Sequence, residues 1–143
     1  MKTRQVSILL IASVAFVSII GCNPGSQSKK KHSPKYDSLL LLKPTIGWKK
    51  NLKEGFGPYT SRDIKKSDEL LDKYLAQLEA AKDITAIWKA VEEVVTGFDR
   101  INVESDFIET VEREELAEFI QHAAEIYGLK YNGDITEQWR MEW

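Results

Sequence analysis

The chain has one cysteine and two histidines in 143 residues. A single cysteine excludes an intramolecular disulfide framework and a cysteine-based zinc cluster. Two histidines leave little material for a histidine-rich metal site. An excess of one charge sign is also missing: 20 Lys and Arg stand against 22 Asp and Glu, net −2. That balance argues against a nucleic-acid binder that works by accumulated positive charge. No glycine-rich phosphate loop is present. Beyond residue 60, no segment alternates apolar and polar residues long enough to read as a strand. The length supports one ordinary domain and argues against two.

The N-terminus reads as an address. Lys2 and Arg4 precede residues 6–20, a run of 15 residues without charge. A helix rises about 1.5 Å per residue and needs roughly 20 residues to cross the hydrocarbon core. Fifteen is short for a permanent span and suits the apolar region of a secretory signal. The run closes on Ile19, Ile20, Gly21 and Cys22. These four resemble the lipobox of bacterial lipoprotein signal peptides: an aliphatic residue, a small or aliphatic residue, Gly or Ala, then Cys. Ile20 is bulkier than the residue commonest at that place. The resemblance implies that the Cys22 thiol receives a diacylglycerol, that cleavage falls just before it, and that its new amino group is acylated. The mature chain then has 122 residues, held outside the inner barrier by two or three acyl chains. Asn23 in place of Asp implies the periplasmic leaflet of the outer membrane in a Gram-negative cell. In a Gram-positive cell the same motif implies the outer face of the cytoplasmic membrane. The competing reading is an uncleaved anchor helix with a free cysteine. It requires the basic start, the run length and the position of the sole cysteine to coincide by accident.

Four segments follow from this reading: a signal peptide at 1–21, a lipidated cysteine and flexible basic tether at 22–38, an extended segment at 39–59, and an acidic helical domain at 60–143. The tether holds two Pro, one Gly and four Ser, with Tyr36 as its one large apolar side chain. It buries too little surface to offset the cost of ordering its backbone. Charge divides sharply along the mature chain. Residues 22–59 carry +6 and residues 60–143 carry −10. Lys29, Lys30 and Lys31 lie within about a Debye length of the surface that a lipid on Cys22 would enter. Either the tether stays solvated, or it lies on the lipid while the acidic domain is repelled outward.

Leu39, Leu40, Leu41 and Leu42, stopped by Lys43 and Pro44, read as an edge strand or an extended segment packed on the head. Trp48, Phe56 and Tyr59, set among turn residues, either cap the helical core or form an aromatic patch for a partner.

The head is expected to be all-α, an antiparallel bundle of three amphipathic helices and a short fourth. Thr60 caps the first, from about 61 to 82, with Ile64, Leu71, Tyr74, Leu75 and Leu78 within an arc of about 140°. Asp83 caps the second, carrying Ile84, Ile87, Trp88, Val91, Val94, Val95 and Phe98. Gly97 marks either its early end or a close crossing with a neighbour, and 102–108 reads as a loop. Thr110 caps the third, with Glu112, Glu114 and Glu115 in a first turn that favours negative charge. Its apolar stripe is Leu116, Phe119, Ile120, Ala123 and Tyr127, and Gly128 ends it. Asp134 to Glu137 resembles a capping box opening a final helix with Trp139 and Trp143.

Reactive constellations are scarce. Glu115, Glu118, His122 and Glu125 share one side of the third helix. Helical di-metal sites place Glu-x-x-His on two facing helices, directed inward. Here Glu118 and His122 stand four apart in a single copy, facing away from Phe119 and Ile120, and no metal is expected. A Ser or Cys nucleophile needs a base in reach, and His32 falls in the tether while His122 faces outward. Adjacent acids on a helix diverge by about 100° and do not face each other for glycoside chemistry. No catalytic residue is expected, and no cofactor beyond the covalent lipid on Cys22.

Binding remains. An acidic head steers a cationic partner. Trp139, Arg140, Met141 and Trp143 are residue types enriched at interfaces, unless both tryptophans pack back on the bundle. The expectation is a membrane-anchored, non-enzymatic interaction module of the cell envelope with a protein partner. No nucleic-acid partner and no small-molecule substrate are evident. The more specific alternative is an immunity or inhibitor lipoprotein that neutralises a basic secreted toxin, with an enzyme third. The stripe assignment is directly testable: Phe119→Ala is expected to cost about 2–5 kcal/mol and to lower the melting temperature. An unchanged melt would show that Phe119 does not face the core.

Overall fold

The computed structural model describes residues 31–143. The lipobox-like segment, Cys22 and the tether up to residue 30 lie outside the described residues. Among those described there is no strand, and five helices follow one another: α1 (Pro34–Leu40), α2 (Pro44–Lys53), α3 (Ser61–Ala80), α4 (Ile84–Ser105) and α5 (Thr110–Ile126). The domain is an all-α bundle, and its three long helices are the three read from apolar periodicity. No helix among the described residues is long and apolar enough to cross a membrane.

Local chemistry sets the helix starts. Thr60 and Asp63 form a reciprocal capping box, the Thr60 hydroxyl accepting from the Asp63 amide and the Asp63 carboxylate from the Thr60 amide. Asp83 caps α4 by accepting from the Ala86 amide at 2.8 Å. The three-residue link between α3 and α4 forces an antiparallel hairpin, and the cross-helix pairs follow. Asp63 bonds Ser105, Lys66 pairs with Glu104, and Lys73 and Gln77 both reach Glu93. Leu71, Tyr74, Leu75 and Leu78 of α3 meet Val91, Val94, Val95 and Phe98 of α4 in the buried core. α5 closes it with Leu116, Phe119, Ile120, Ala123 and Ala124.

Several expectations are corrected. Residues 39–59 do not form an extended segment: α1 takes Leu39 and Leu40, and α2 takes the chain from Pro44 to Lys53. Only Leu41 and Leu42 of the four-leucine run lie in a turn. Pro44, which reads as a stop, and Pro34, which reads as part of the tether, both sit in a first helical turn, where a missing N–H costs nothing and the fixed φ suits the helix. The tether therefore ends before α1, not at Ser38. Ser33 caps α1, and His32 is anchored on α3, its Nδ1 lying 2.6 Å from Glu79 Oε2.

Gly97 does not end α4. It lets α3 approach, because a Cβ there would stand 2.7 Å from a Leu70 methyl. The helix runs on to Ser105, and Asp106 adopts the left-handed conformation at its end (φ 48°). Asn102 is thus helical and buried, not in a loop, while Phe107 and Ile108 are buried in the core. The N-cap of α5 is Glu109 and not Thr110. In place of a final helix, residues 135–139 form turns closed by Trp139 and Arg140 amides on the Thr136 carbonyl.

An ammonium group fastens the start of α2 to α3. Lys43, 8% exposed, lies 2.7 Å from Asp68 and 2.5 Å from Asp72 on α3. Thr45 and Lys49 also bond Asp68, both at 2.7 Å. Burial pushes the Asp68 carboxyl up, but the bonds from Lys43, Lys49 and Thr45 outweigh it and bring it from 3.8 down to about 2. Losing Lys43 leaves Asp72 without this partner and Asp68 with a weaker set. Lys43→Met is expected to cost about 1–3 kcal/mol in urea unfolding. A folded value below the unfolded one stabilises above the unfolded pKa and is lost on acidification. The wild type should therefore lose this contribution as pH falls from about 4 towards 2, with a shallower loss in the variant.

Candidate functional site

The face of α5 that carries its acids is built by helical spacing. Glu114, Glu118 and Glu125 fall within an arc of about 40°, with His122 and Glu115 beside them. The opposite side, Leu116, Phe119, Ile120, Ala123 and Ala124, is buried. The spacing that puts the apolar residues inside thus puts these carboxylates outside. None of them joins an ion pair with any described residue, whereas most acids of α3 do: Asp68, Asp72, Glu69 and Glu79 are all paired. The negative charge of the head is therefore least neutralised along α5.

Beside this row lies a cleft of about 430 Å³. One wall is Leu42, Lys43, Pro44 and Gly47; the other is Glu115, Glu118, Phe119 and His122. The walls are held together by Trp48 of α2, whose Nε1 donates to Glu115 Oε2 at 2.6 Å. Trp48 is buried, stacked on Tyr59 at 5.2 Å and edge-on to Phe107 at 5.8 Å. The Lys43 ammonium is engaged with Asp68 and Asp72. The cleft's polar groups are thus Glu115, Glu118 and His122, above an apolar floor of Leu42 and Phe119.

The four residues singled out on the third helix divide. Glu115, Glu118 and His122 line the cleft, and Glu125 continues the row, accepting from Gln121 at 3.0 Å. Among the described residues, no group of three His, Asp or Glu side chains is placed to hold a metal ion. Among the described residues, neither histidine is hydrogen-bonded to a serine. His32 pairs with Glu79 and stacks on Tyr36 at 3.9 Å. That bond, with one from the Ser33 amide, holds the Glu79 carboxyl down at about 2. An arrangement of exposed carboxylates beside an apolar floor suits a cationic side chain with an aliphatic stem.

Of the aromatic trio read from the N-terminal half, Trp48 and Tyr59 are core, and Phe56 stands exposed. The C-terminal group is drawn inward. Trp139 packs on Trp88 at 5.7 Å between ring centroids. Trp143 meets Phe98 edge-on at 5.9 Å, and its Nε1 reaches the Val95 carbonyl at 3.4 Å. Arg140 bonds Asp134 at 2.9 Å and covers the Trp143 ring. Burial pushes the Asp134 carboxyl up, but the bonds from Thr136 and the Arg140 charge outweigh it and leave it lowered. Met141 alone of this group stays exposed. Cys22 lies outside the described residues.

The cleft itself was hidden from sequence reasoning, because its second wall comes from a segment that reads as extended. The signals that could have found it were the two prolines at helix starts and the Trp48 spacing to Thr45 and Leu52. No protein family, curated protein or solved structure matches the chain. The packing of the C-terminus is open to test. Trp143→Ala should cost about 1–3 kcal/mol in thermal or urea unfolding. A variant as stable as the wild type would leave Trp143 free for other work.

Proposed function

We propose that the chain is a lipid-anchored envelope protein whose acidic helical domain binds a cationic protein segment and performs no chemistry of its own. The observation that carries this reading is the row Glu114, Glu118 and Glu125, unpaired among the described residues, bordering the cleft floored by Leu42 and Phe119. Surface carboxylates already paired within the domain contribute little to a partner. These retain their field, which speeds and orients the approach of a cation. A basic side chain lays its aliphatic stem on the apolar floor and its charge against Glu118. Met141 offers a further exposed contact. The anchoring half of the reading is supported by Ile19, Ile20, Gly21 and Cys22. A basic secreted toxin would be a partner of this same chemistry, and a toxin gene beside this one would single it out.

Two measurements test the halves separately. Cells fed an alkyne palmitate should label the wild-type chain and not Cys22→Ser, and an unlabelled, full-mass wild type would overturn the anchor. Crosslinking in intact membranes should capture a protein partner whose binding weakens with salt. Glu114→Gln, Glu118→Gln and Glu125→Gln together should weaken its affinity about tenfold with no change in melting temperature. Equal affinity of wild type and triple variant for that partner would overturn the acidic-row reading.

A further inference from the structure

We infer that the outer face of α2 is a second, separate docking surface, and that its occupant is an anionic lipid bilayer. This rests on the anchoring reading above, which brings the domain to a membrane, and adds which face it turns towards it.

Helical spacing aligns Ile46, Lys49, Lys50 and Lys53 at i, i+3, i+4 and i+7 on the side opposite Thr45, Trp48 and Leu52. All four are exposed. α2 holds no acid, and among the described residues Lys50 and Lys53 join no ion pair, while Lys49 is tied to Asp68. At the two ends of the same helix stand Leu41 and Phe56, which are 77% and 65% exposed. Exposed large apolar side chains are therefore concentrated around one short cationic helix. A globular surface in water gains nothing from that combination. An interfacial helix needs it, with apolar groups entering the acyl boundary and lysines standing at the headgroups.

Charge decides the occupant. Residues 31–59 carry +4 and residues 60–143 carry −10. An anionic surface attracts the first and repels the second, so the domain is oriented and not merely adsorbed. A cationic protein prefers the α5 row, and a neutral apolar partner has no use for Lys50 and Lys53. The tether fits as well. Only 11 residues separate Cys22 from Pro34, and a chain reaches at most about 3.3–3.6 Å per residue, so α2 cannot lie far from the lipid that Cys22 would enter. They include Lys29, Lys30 and Lys31, which add positive charge to the sequence between the anchor and α1.

The test uses the mature, lipidated full chain. With Cys22 acylated, an introduced cysteine is the sole free thiol, so Ile46→Cys and Val103→Cys each accept one nitroxide. Both sites are exposed, one on α2 and one on α4. In phosphatidylcholine vesicles containing phosphatidylglycerol, the label at position 46 should show a several-fold higher ratio of oxygen to nickel-chelate accessibility than the label at 103. Pure phosphatidylcholine, high salt, or Lys50→Glu with Lys53→Glu should abolish the difference while the melting temperature holds. A label at 46 that stays as aqueous as that at 103 in anionic vesicles overturns the docking face. If such a protein still floats with the vesicles and has the lipidated mass, the anchoring reading survives alone. A chain without lipid on Cys22 overturns both.

Discussion

The ammonium of Lys43, set between Asp68 and Asp72 with Thr45 and Lys49 sharing Asp68, is the constraint on which the N-terminal half depends. An ion taken out of water costs free energy that only close, well-placed partners recover. That requirement pins the start of α2 to the middle of α3. Once it is pinned, Trp48 reaches Glu115 and stacks on Tyr59. The cleft beside α5 and the outward direction of Ile46, Lys50 and Lys53 follow from the same placement. A second fastening, His32 and Ser33 on Glu79, holds the start of α1 against the far end of α3.

The division of charge along the chain becomes a division of surface. The lysines that meet carboxylates of α3 are spent inside the domain, and they quieten that helix. Among the described residues, the glutamates on the outer face of α5 have no such neighbours, and Lys50 and Lys53 of α2 have none either. Two faces of opposite sign thus coexist on one small bundle whose net charge is −6. Net charge alone conceals this, since long-range potential depends on where charges remain unpaired.

The three long helices were legible because each carries an apolar stripe of its own, supported by a side-chain cap at α3 and α4 and by a closing glycine at α5. Thr60 with Asp63, Asp83 with Ala86, and Gly128 after α5 act over three or four residues. The short helices were not legible. α1 and α2 have 7 and 10 residues, too short to persist without tertiary contacts, and their prolines read equally well as breaks. Gly97 read either as a helix end or as a close crossing, and the choice fell to tertiary structure: its role is the room it leaves for Leu70, which belongs to another helix. The last turns carry a helix-like cap at Asp134, but Trp139 and Trp143 are drawn to Trp88 and Phe98.

Local pattern by itself determined the helical class, the three stripes that form the core, and the opposition of a basic first part to an acidic second. These are properties of neighbours three to seven residues apart, where sequence and geometry are nearly the same thing. Tertiary structure decided which charges survive at the surface and which are neutralised. His32 meets Glu79 across 47 positions, Lys43 meets Asp72 across 29, and Trp48 meets Glu115 across 67. Such pairs form only when packing of the apolar faces has already brought the helices together.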